Sequence, residues 1–394
     1  MQQWLASRIF YGWVIVGAGL AINALSSTLN PVVFSFMIGP MSEDLGVAKS
    51  ALALAFTLRL VAAGFSGPVI GVLIDRHGAR WIGVVSGTLV GIMLILLAMA
   101  HQIWIVYLVF AISGLAGLGG PAGQLLTQVP IAKWFVTRRG RALSIATMGM
   151  AGGTVLAVPI TQFLVEAYGW RSTSIIYGIA VLAVVPTVSG LFVRRSPEDL
   201  GLHPDGLDQP PAEDGSSNGS LGIATRDEWT VKEALRTRAM WLLLVALGLA
   251  GTALTGTLVY RVDYWSSLGM APALVGFGTM LDPLTVVFSV FIMGTIADRV
   301  PVRFLGFAGL GIFALSILPM IYSDGEAYTI LLHNVVWGTG AGGYITLNNL
   351  VWPNYYGRQY LGAIRGIVLP VSIAASGLGA PLYGFLLDSG MDPR

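Results

Sequence analysis

The sequence has no cysteine among its 394 residues, and only 11% of its residues are charged. Without cysteine the chain has no disulfide framework, no thiol chemistry and no cysteine-based metal site. A typical soluble domain carries roughly 25% charged residues, so the composition excludes an ordinary soluble fold. The sequence also lacks a GxxxxGK[ST] phosphate-binding motif, a nucleophile constellation and a metal-ligand cluster. We therefore expect neither an ATP-driven pump nor a membrane enzyme, and no cofactor.

What remains is the composition of a protein that crosses the membrane many times. Hydrophobic residues make up 55% of the chain, and the mean hydropathy is +0.75. A membrane core of about 30 Å needs roughly 20 consecutive apolar residues in a helix. The first apolar run continues to Pro31, so we interpret it as a span and not as a cleaved leader. Eleven such runs are predicted as transmembrane helices: 11–38, 50–74, 81–100, 103–131, 142–165, 172–193, 239–265, 273–296, 303–322, 328–350 and 361–387.

The positive charges predict the orientation of these spans. With eleven spans, 17 of the 22 Lys and Arg residues fall on the side that holds the N-terminus. Loops with an excess of Lys and Arg remain in the cytoplasm. We therefore expect a multi-pass protein of the cell membrane (plasma or inner membrane) with a cytoplasmic N-terminus.

One long polar segment divides the chain into two parts. It is rich in Pro, Gly, Ser and Asp, a composition typical of a flexible linker. The predicted domains are an N-terminal six-helix bundle over 1–194, a cytoplasmic linker loop over 195–238 and a C-terminal bundle of spans 7 to 11 over 239–394.

The two halves resemble each other as copies of one repeat. Asp75 matches Asp298 at a spacing of 223 positions, and Arg141 matches Arg365 at a spacing of 224. The repeat predicts that a twelfth span begins where the sequence ends, so either the chain is truncated or its last helix is missing. A true eleven-span protein is the less favoured alternative.

Two isolated charges lie inside predicted spans at repeat-related positions, Arg59 in span 2 and Asp282 in span 8. An arginine in the middle of hydrocarbon costs ~2.5–3.5 kcal/mol on insertion scales, so such residues usually face a cavity or a partner. We expect Arg59 to be the counter-charge of an anion, because a guanidinium binds a carboxylate through two parallel hydrogen bonds. The alternative is a structural arginine bonded to backbone carbonyls. Asp282 is predicted to carry a proton, with a permanent ion pair to an arginine as the alternative.

The loop after span 2 resembles the GxxxDRxGxR signature of the major facilitator superfamily. Its residues are Gly71, Asp75, Arg76, Gly78 and Arg80, and a weaker copy after span 8 contains Gly294, Asp298, Arg299 and Arg303. The resemblance implies an all-α membrane fold of two pseudo-symmetric six-helix bundles. We expect the motif to serve conformational change, with Asp75 capping or pairing with the ends of neighbouring helices.

Two further stretches resemble the monocarboxylate transporters and their bacterial oxalate/formate-antiporter-like relatives. These are "FYGWVIVGAGLAINAL" in span 1 and "WFVTRRGRALSIATMGMAGG" at span 5. The resemblance implies a proton-linked or exchange carrier of small organic anions. The family places an arginine four residues after the aspartate of span 8, where this chain has Val286, and a lysine near the outer end of span 1, where it has "SSTLNP". We expect Arg59 to replace the missing cation.

The predicted function is secondary active transport of a small monocarboxylate-like anion by alternating access, with a proton or by exchange. The expected partners are the anion, a proton and membrane lipid, without nucleic acid, and the protein is expected to be a monomer. One alternative is a carrier of a neutral, cationic or drug-like solute with a structural Arg59, and another is a membrane receptor that does not transport. The predicted substrate-binding residues are Arg59, Asn30, Gln124, Gln128, Asn348, Tyr344 and Tyr383, with Asp282 for proton coupling.

For three polar residues in the spans, a structural role is favoured over a functional one. Arg261 lies near the end of span 7, where a solvated end is favoured over a gate residue. His333 lies about a turn and a half inside the outer surface, where a hydrogen-bonded interfacial group is favoured over a proton relay. Helix packing is also favoured for Tyr383.

Overall fold

The computed structural model describes residues 10–118, 121–206, 229–323 and 325–389. Helices are the regular elements of these residues, and eight helical stretches among them are long and apolar enough to cross a membrane. Most of the predicted linker, 207–228, lies outside the described residues. In chain order the helices are α1 Tyr11–Ser26, α2 Pro31–Leu45, α3 Lys49–His77, α4 Ala79–Leu97, α5 Ile103–Leu115, α6 Pro121–Trp134, α7 Arg139–Phe192, α8 Val231–Leu235, α9 Arg238–Ser267, α10 Pro272–Ala297, α11 Val302–Leu315, α12 Leu318–Ile321, α13 Ala327–Tyr356, α14 Leu361–Gly377 and α15 Gly379–Asp388.

The described chain forms two compact units. Unit 1 contains Met1–Asp214 together with Gly357–Pro370, and unit 2 contains Gly215–Tyr356 together with Val371–Arg394. The first part of α14 thus packs with the N-terminal helices.

The first membrane-crossing stretch is interrupted between α1 and α2. A short 3-10 turn, Ser27–Leu29, follows α1, and Asn30 then adopts an extended conformation. The side-chain oxygen of Asn30 accepts the backbone N–H of Val32 at 3.0 Å, and Pro31 occupies the first helical position, a combination that starts a new helix. The interruption removes the intrahelical partner of nearby carbonyls, which then need other donors.

The predicted spans 5 and 6 lie in one long helical stretch, α7. Gly169 breaks its helical geometry with φ of 76°, a left-handed conformation that glycine adopts without steric cost. Next to this break Arg171 forms an ion pair with Asp44, and Trp170 donates to the same carboxylate at 3.1 Å. These contacts connect α7, at its break near Gly169, to the C-terminal end of α2.

Small residues set the close packing in both units. In unit 1 a Cβ at Gly67 would lie 2.6 Å from the side chain of Leu369, and a Cβ at Gly71 would overlap the backbone of Gly362. In unit 2 a Cβ at Gly343 would lie 2.7 Å from Gly309. Glycine therefore brings α3 against α14, and α11 against α13, at backbone distance, as small residues do between membrane helices.

Candidate functional site

Arg59 is buried inside unit 1, with 5% of its surface exposed. Its guanidinium donates to the carbonyl of Leu29 at 2.5 Å and to the carbonyl of Leu118 at 3.1 Å. Both carbonyls lie at helix interruptions, the first before α2 and the second after α5. The centre of the guanidinium also lies 5.6 Å from the ring centroid of Phe56. Arg59 thus supplies hydrogen-bond donors to two backbone carbonyls that lie outside the regular helices.

A cavity of about 190 Å³ lies beside Arg59. Its polar lining comes from Ser26, Ser27, Asn30 and Arg59, and its apolar lining includes Phe56, Leu60 and Met150. Ser26 and Ser27 donate their hydroxyl protons to carbonyls of α1, so Arg59 and the Asn30 amide are the hydrogen-bond donors named among these lining residues. Among the described residues no acidic side chain pairs with Arg59, and it is a cation on the wall of a small cavity.

Asp282 lies in unit 2 and forms an ion pair with Arg261 of α9. The side chains of Arg261 and Asp282 are 2% and 7% exposed. The other amino group of Arg261 donates to the side-chain oxygen of Asn334 at 3.2 Å, and its guanidinium lies 4.5 Å from the ring centroid of Trp337. Two residues of α13 therefore hold the arginine against the aspartate.

This geometry corrects one prediction. Arg261 is not a solvated helix end, because its residue exposure is only 2%. It lies six residues before the end of α9 at Ser267, which corresponds to about 9 Å of helix. Two side chains from other helices, Asp282 of α10 and Trp337 of α13, cover it.

Several buried polar atoms around this ion pair have no hydrogen-bond partner within the described part of the chain. They are Oδ1 of Asp282, Nε of Arg261, Nε1 of Trp337, Nε2 of His333 and Nε1 of Trp265. Buried polar groups in native proteins are normally satisfied by protein or ordered water. These five atoms are therefore available for hydrogen bonds to water or to a ligand.

Asp75 of the loop motif joins three segments of unit 1. Its Oδ1 accepts from Lys133 at 3.1 Å, and its Oδ2 accepts the backbone N–H of Ala363 at 2.7 Å. Its backbone carbonyl accepts from Arg195 at 2.8 Å. A carboxylate at the N-terminal end of α14 is favoured by the helix dipole as well as by these hydrogen bonds. Its role in conformational change remains a prediction.

The other motif residues have varied surroundings. Gly78 turns the chain between α3 and α4 with φ of 80° and packs against the side chain of Arg195. Arg76 and Arg299 are exposed, Arg80 and Asp298 are partly exposed, and Gly71 is buried. Arg80 lies over the ring of Trp81 at 5.0 Å.

The remaining predicted binding residues occupy separate places within the two units. In unit 1 Gln128 is buried and donates to Gln124 at 3.3 Å. In unit 2 the hydroxyl of Tyr344 donates to the carbonyl of Leu247 at 3.3 Å, and the side chain of Asn348 accepts from Trp352 at 3.2 Å. Tyr383 packs its ring on Gly256. Of the predicted binding residues, only Asn30 lines the cavity with Arg59.

Two contributors to these clusters are missing from the predicted sites. Lys133 appears in the sequence as one of several positive charges of a cytoplasmic loop, and Arg261 as a span end. Lys133 is only 7% exposed because it pairs with Asp75. A buried ion pair depends on contacts with other helices, which a local sequence pattern does not show. For Arg261, the one available signal is its position within an apolar run.

An all-helical, multi-pass fold with buried charges in each unit is found among membrane transporters, and the described residues contain no group of side chains that could hold a metal ion. The model of the Major Facilitator Superfamily matches residues 16–381. The chain therefore belongs to the Major Facilitator Superfamily. It is a multi-pass transporter of a small solute and not an enzyme, as the resemblance of the loop motif implied.

The curated relatives agree with this family, and a solved structure agrees with the fold. The chain is 27% identical over 397 residues to monocarboxylate transporter 11 of Mus musculus, which covers 96% of this chain and 81% of the relative. It is 23% identical over 356 residues to the oxalate:formate antiporter of Oxalobacter formigenes, covering 87% of this chain and 78% of the relative. The crystal structure of the E. coli fucose:proton symporter FucP superposes with a TM-score of 0.68 at 15% identity, covering 97% of this chain and 93% of that one. The last comparison bears on the fold alone.

Proposed function

We propose that this protein is a secondary active transporter of small organic anions of the monocarboxylate kind. It works by alternating access in the cell membrane, with the N-terminus in the cytoplasm, and takes the anion with a proton or by exchange. The names of the relatives at 23–27% identity, monocarboxylate transporter and oxalate:formate antiporter, support this substrate class.

The observation that carries the proposal is Arg59 on the wall of the cavity in unit 1. A guanidinium stays protonated even in a medium of low dielectric constant, and its planar fork matches a carboxylate. Its two hydrogen bonds to the Leu29 and Leu118 carbonyls do not neutralise its charge. An arriving carboxylate supplies the missing negative charge, and the amide group of Asn30 adds a neutral donor beside it.

The size of the cavity supports a small substrate. Engineered protein cavities of roughly 150 Å³ hold a benzene molecule, and pockets for drug-sized ligands begin at about 300 Å³. At about 190 Å³ the cavity beside Arg59 has room for a carboxylate with about six non-hydrogen atoms. This volume favours short-chain anions over larger ones.

The pair of Arg261 and Asp282 is the proposed site of proton coupling. When Asp282 takes a proton, its carboxyl becomes neutral and Arg261 is left without its counter-ion. This change of charge inside unit 2 is the proposed proton-dependent step of the transport cycle. Loss of the proton restores the ion pair.

One observation favours the alternative function. The two carbonyls that Arg59 binds lie at helix interruptions, and an arginine that satisfies such carbonyls is useful without any anion. In that case the transported solute is neutral, cationic or drug-like, and the unit 1 cavity receives it without a counter-charge.

Uptake by purified protein in proteoliposomes separates these functions. We expect labelled lactate or acetate to accumulate when the outside is acidified, or labelled oxalate to exchange with unlabelled anion inside. Larger aromatic carboxylates should be transported poorly. Transport of a neutral or cationic solute, with no transport of any carboxylate, would overturn the proposal.

A further inference from the structure

A line of buried polar groups runs along one face of α13 in unit 2. Thr329, His333 and Trp337 follow each other at intervals of four residues, so they share one helix face. Their residue exposures are 3%, 0% and 4%. Polar side chains are costly inside an apolar bundle, and those that occur there are often functional. The row ends at Trp337, whose ring covers the guanidinium of Arg261.

The hydrogen bonding of His333 fixes its tautomer. Its Nδ1 lies 2.7 Å from the backbone carbonyl of Ser316, and a carbonyl oxygen can only accept. Nδ1 therefore carries the proton and donates it, which leaves Nε2 of the neutral ring as an acceptor. Nε2 is buried and has no partner among the residues that the structure describes. His333 thus offers a basic nitrogen inside the bundle.

His333 lies between the start of α13 and the ion pair. It is six residues after Ala327, where α13 begins, which corresponds to about 9 Å of helix. Its ring centroid is 5.7 Å from the ring centroid of Trp265. Trp265 in turn lies one helical turn from Arg261 on α9. Along α13, His333 is also one turn before Trp337, whose ring covers the guanidinium of Arg261.

Hydroxyl groups continue the line toward the end of the bundle. The hydroxyls of Ser323 and Thr329 lie 2.8 Å apart, and Ser323 is fully buried. Thr329 is one helical turn before His333. At the other end, Oδ1 of Asp282 has no partner in the described part of the chain. The structure thus has a pair of hydroxyls at one end of the line, a carboxylate oxygen at the other and a histidine between them.

We propose that His333 passes protons between this end of unit 2, which is the outer end in the orientation proposed above, and Asp282. The proposal rests on proton coupling at Asp282. Water delivers a proton to Nε2, the ring is briefly an imidazolium with both N–H bonds, and Nε2 then gives a proton through water to the carboxylate of Asp282. The imidazole returns to its Nδ1–H form, so one proton enters, one leaves and no ring flip is needed.

The charges around the imidazole suit this step. Among the described residues, the charged groups on α9 and α10 near this face of α13 are Arg261 and Asp282, and Tyr264 of α9 is a further titratable group. The segment after α11 contributes the carbonyl of Ser316. The positive charge of Arg261 disfavours a lasting imidazolium, and the Nδ1–H form of the ring keeps Nε2 as an acceptor. The carboxylate of Asp282 attracts the proton onward.

The test replaces His333 with glutamine, a polar residue of similar size whose amide has no titratable nitrogen. Three quantities are measured in proteoliposomes or detergent: initial uptake of labelled lactate driven by outside acidification, exchange of lactate at equal pH on both sides, and thermal stability. We expect acid-driven uptake to fall by about tenfold or more, in line with the size of proton-transfer catalysis, with a much smaller fall in exchange. His101→Gln, at an exposed histidine, is the control and should leave all three quantities unchanged.

Equal losses in uptake, exchange and stability would assign His333 a structural role and overturn the relay. Wild-type acid-driven uptake in His333→Gln would overturn it as well. His333→Asn serves as the second variant if the glutamine protein does not fold. Asp282→Asn is measured beside them. If this variant retains acid-driven uptake, both proton coupling at Asp282 and the relay are refuted. If acid-driven uptake is lost in Asp282→Asn but kept in His333→Gln, the relay alone is refuted.

Discussion

Arg261 of α9 and Asp282 of α10 form an ion pair whose two side chains are 2% and 7% exposed. Removing two charges from water costs several kcal/mol per ion, and their attraction offsets this only with good geometry and further hydrogen bonds. Asn334 and Trp337 of α13 supply such contacts to the arginine, but Oδ1 of Asp282 has none among the described residues. A buried pair of this kind is weak evidence for stability, and its part in proton coupling stays a proposal.

Removing one partner should destabilise the protein more than removing both. We expect Arg261→Ala to lower the free energy of unfolding by about 3–5 kcal/mol, because it leaves a buried carboxylate without its counter-ion. The double variant Arg261→Met, Asp282→Leu should recover most of this loss, because apolar residues of similar volume need no counter-charge. Thermal unfolding in detergent measures both. Arg236→Ala, at an exposed arginine, is the control, and equal losses in the single and double variants would contradict the argument.

Asp282→Asn should separate proton-driven uptake from exchange. The amide keeps the shape of the carboxyl group but cannot gain and lose a proton. We expect accumulation of lactate under an acid gradient to be abolished while some counterflow exchange remains. Unchanged acid-driven uptake would show that Asp282 does not carry the proton.

Much of the fold could be predicted from the sequence because its signals are local. Low charge and long apolar runs indicate membrane helices, and the residues around Asp75 indicate the family. The family match over residues 16–381 and the similarity to solved structures confirm the predicted superfamily and the all-helical membrane fold. The predicted domain limits and the twelfth span stay predictions.

The candidate site could be predicted only in part because its contacts are not local. Arg59 and Asp282 are recognisable as lone charges in apolar runs. The burial of Arg261 depends on Trp337, 76 positions away in the sequence, and no pattern within α9 indicates that contact. The partners of Arg59 are backbone carbonyls exposed by helix interruptions at Leu29 and Leu118, and side-chain periodicity carries no signal for them.

Gly71→Ala should destabilise unit 1. A Cβ at this position would overlap the backbone of Gly362 in α14, and backbone cannot move aside as a flexible side chain does. We expect a loss of about 1–3 kcal/mol, as for overpacked cores, seen as a lower unfolding temperature. The matched control is Gly276→Ala in α10, where an added Cβ meets no atom within 4 Å. It should be neutral or stabilise by up to about 1 kcal/mol. Equal melting temperatures for both variants would refute this account of the contact between α3 and α14.

Arg59 decides between the anion carrier and its alternative. If its guanidinium binds the substrate carboxylate, Arg59→Ala should weaken lactate binding by at least about tenfold, since a hydrogen bond to a charged group contributes roughly 1.5–3 kcal/mol. Arg59→Lys should restore little, because an ammonium keeps the charge but loses the planar fork. Both variants also lose hydrogen bonds to the Leu29 and Leu118 carbonyls, so some loss of thermal stability is expected in either case. The decisive comparison is therefore substrate affinity against unfolding temperature in the same two proteins, with Arg236→Ala as the control for loss of a positive charge. Normal affinity in a destabilised Arg59→Ala protein would make the buried charge purely structural and would reopen the class of the substrate.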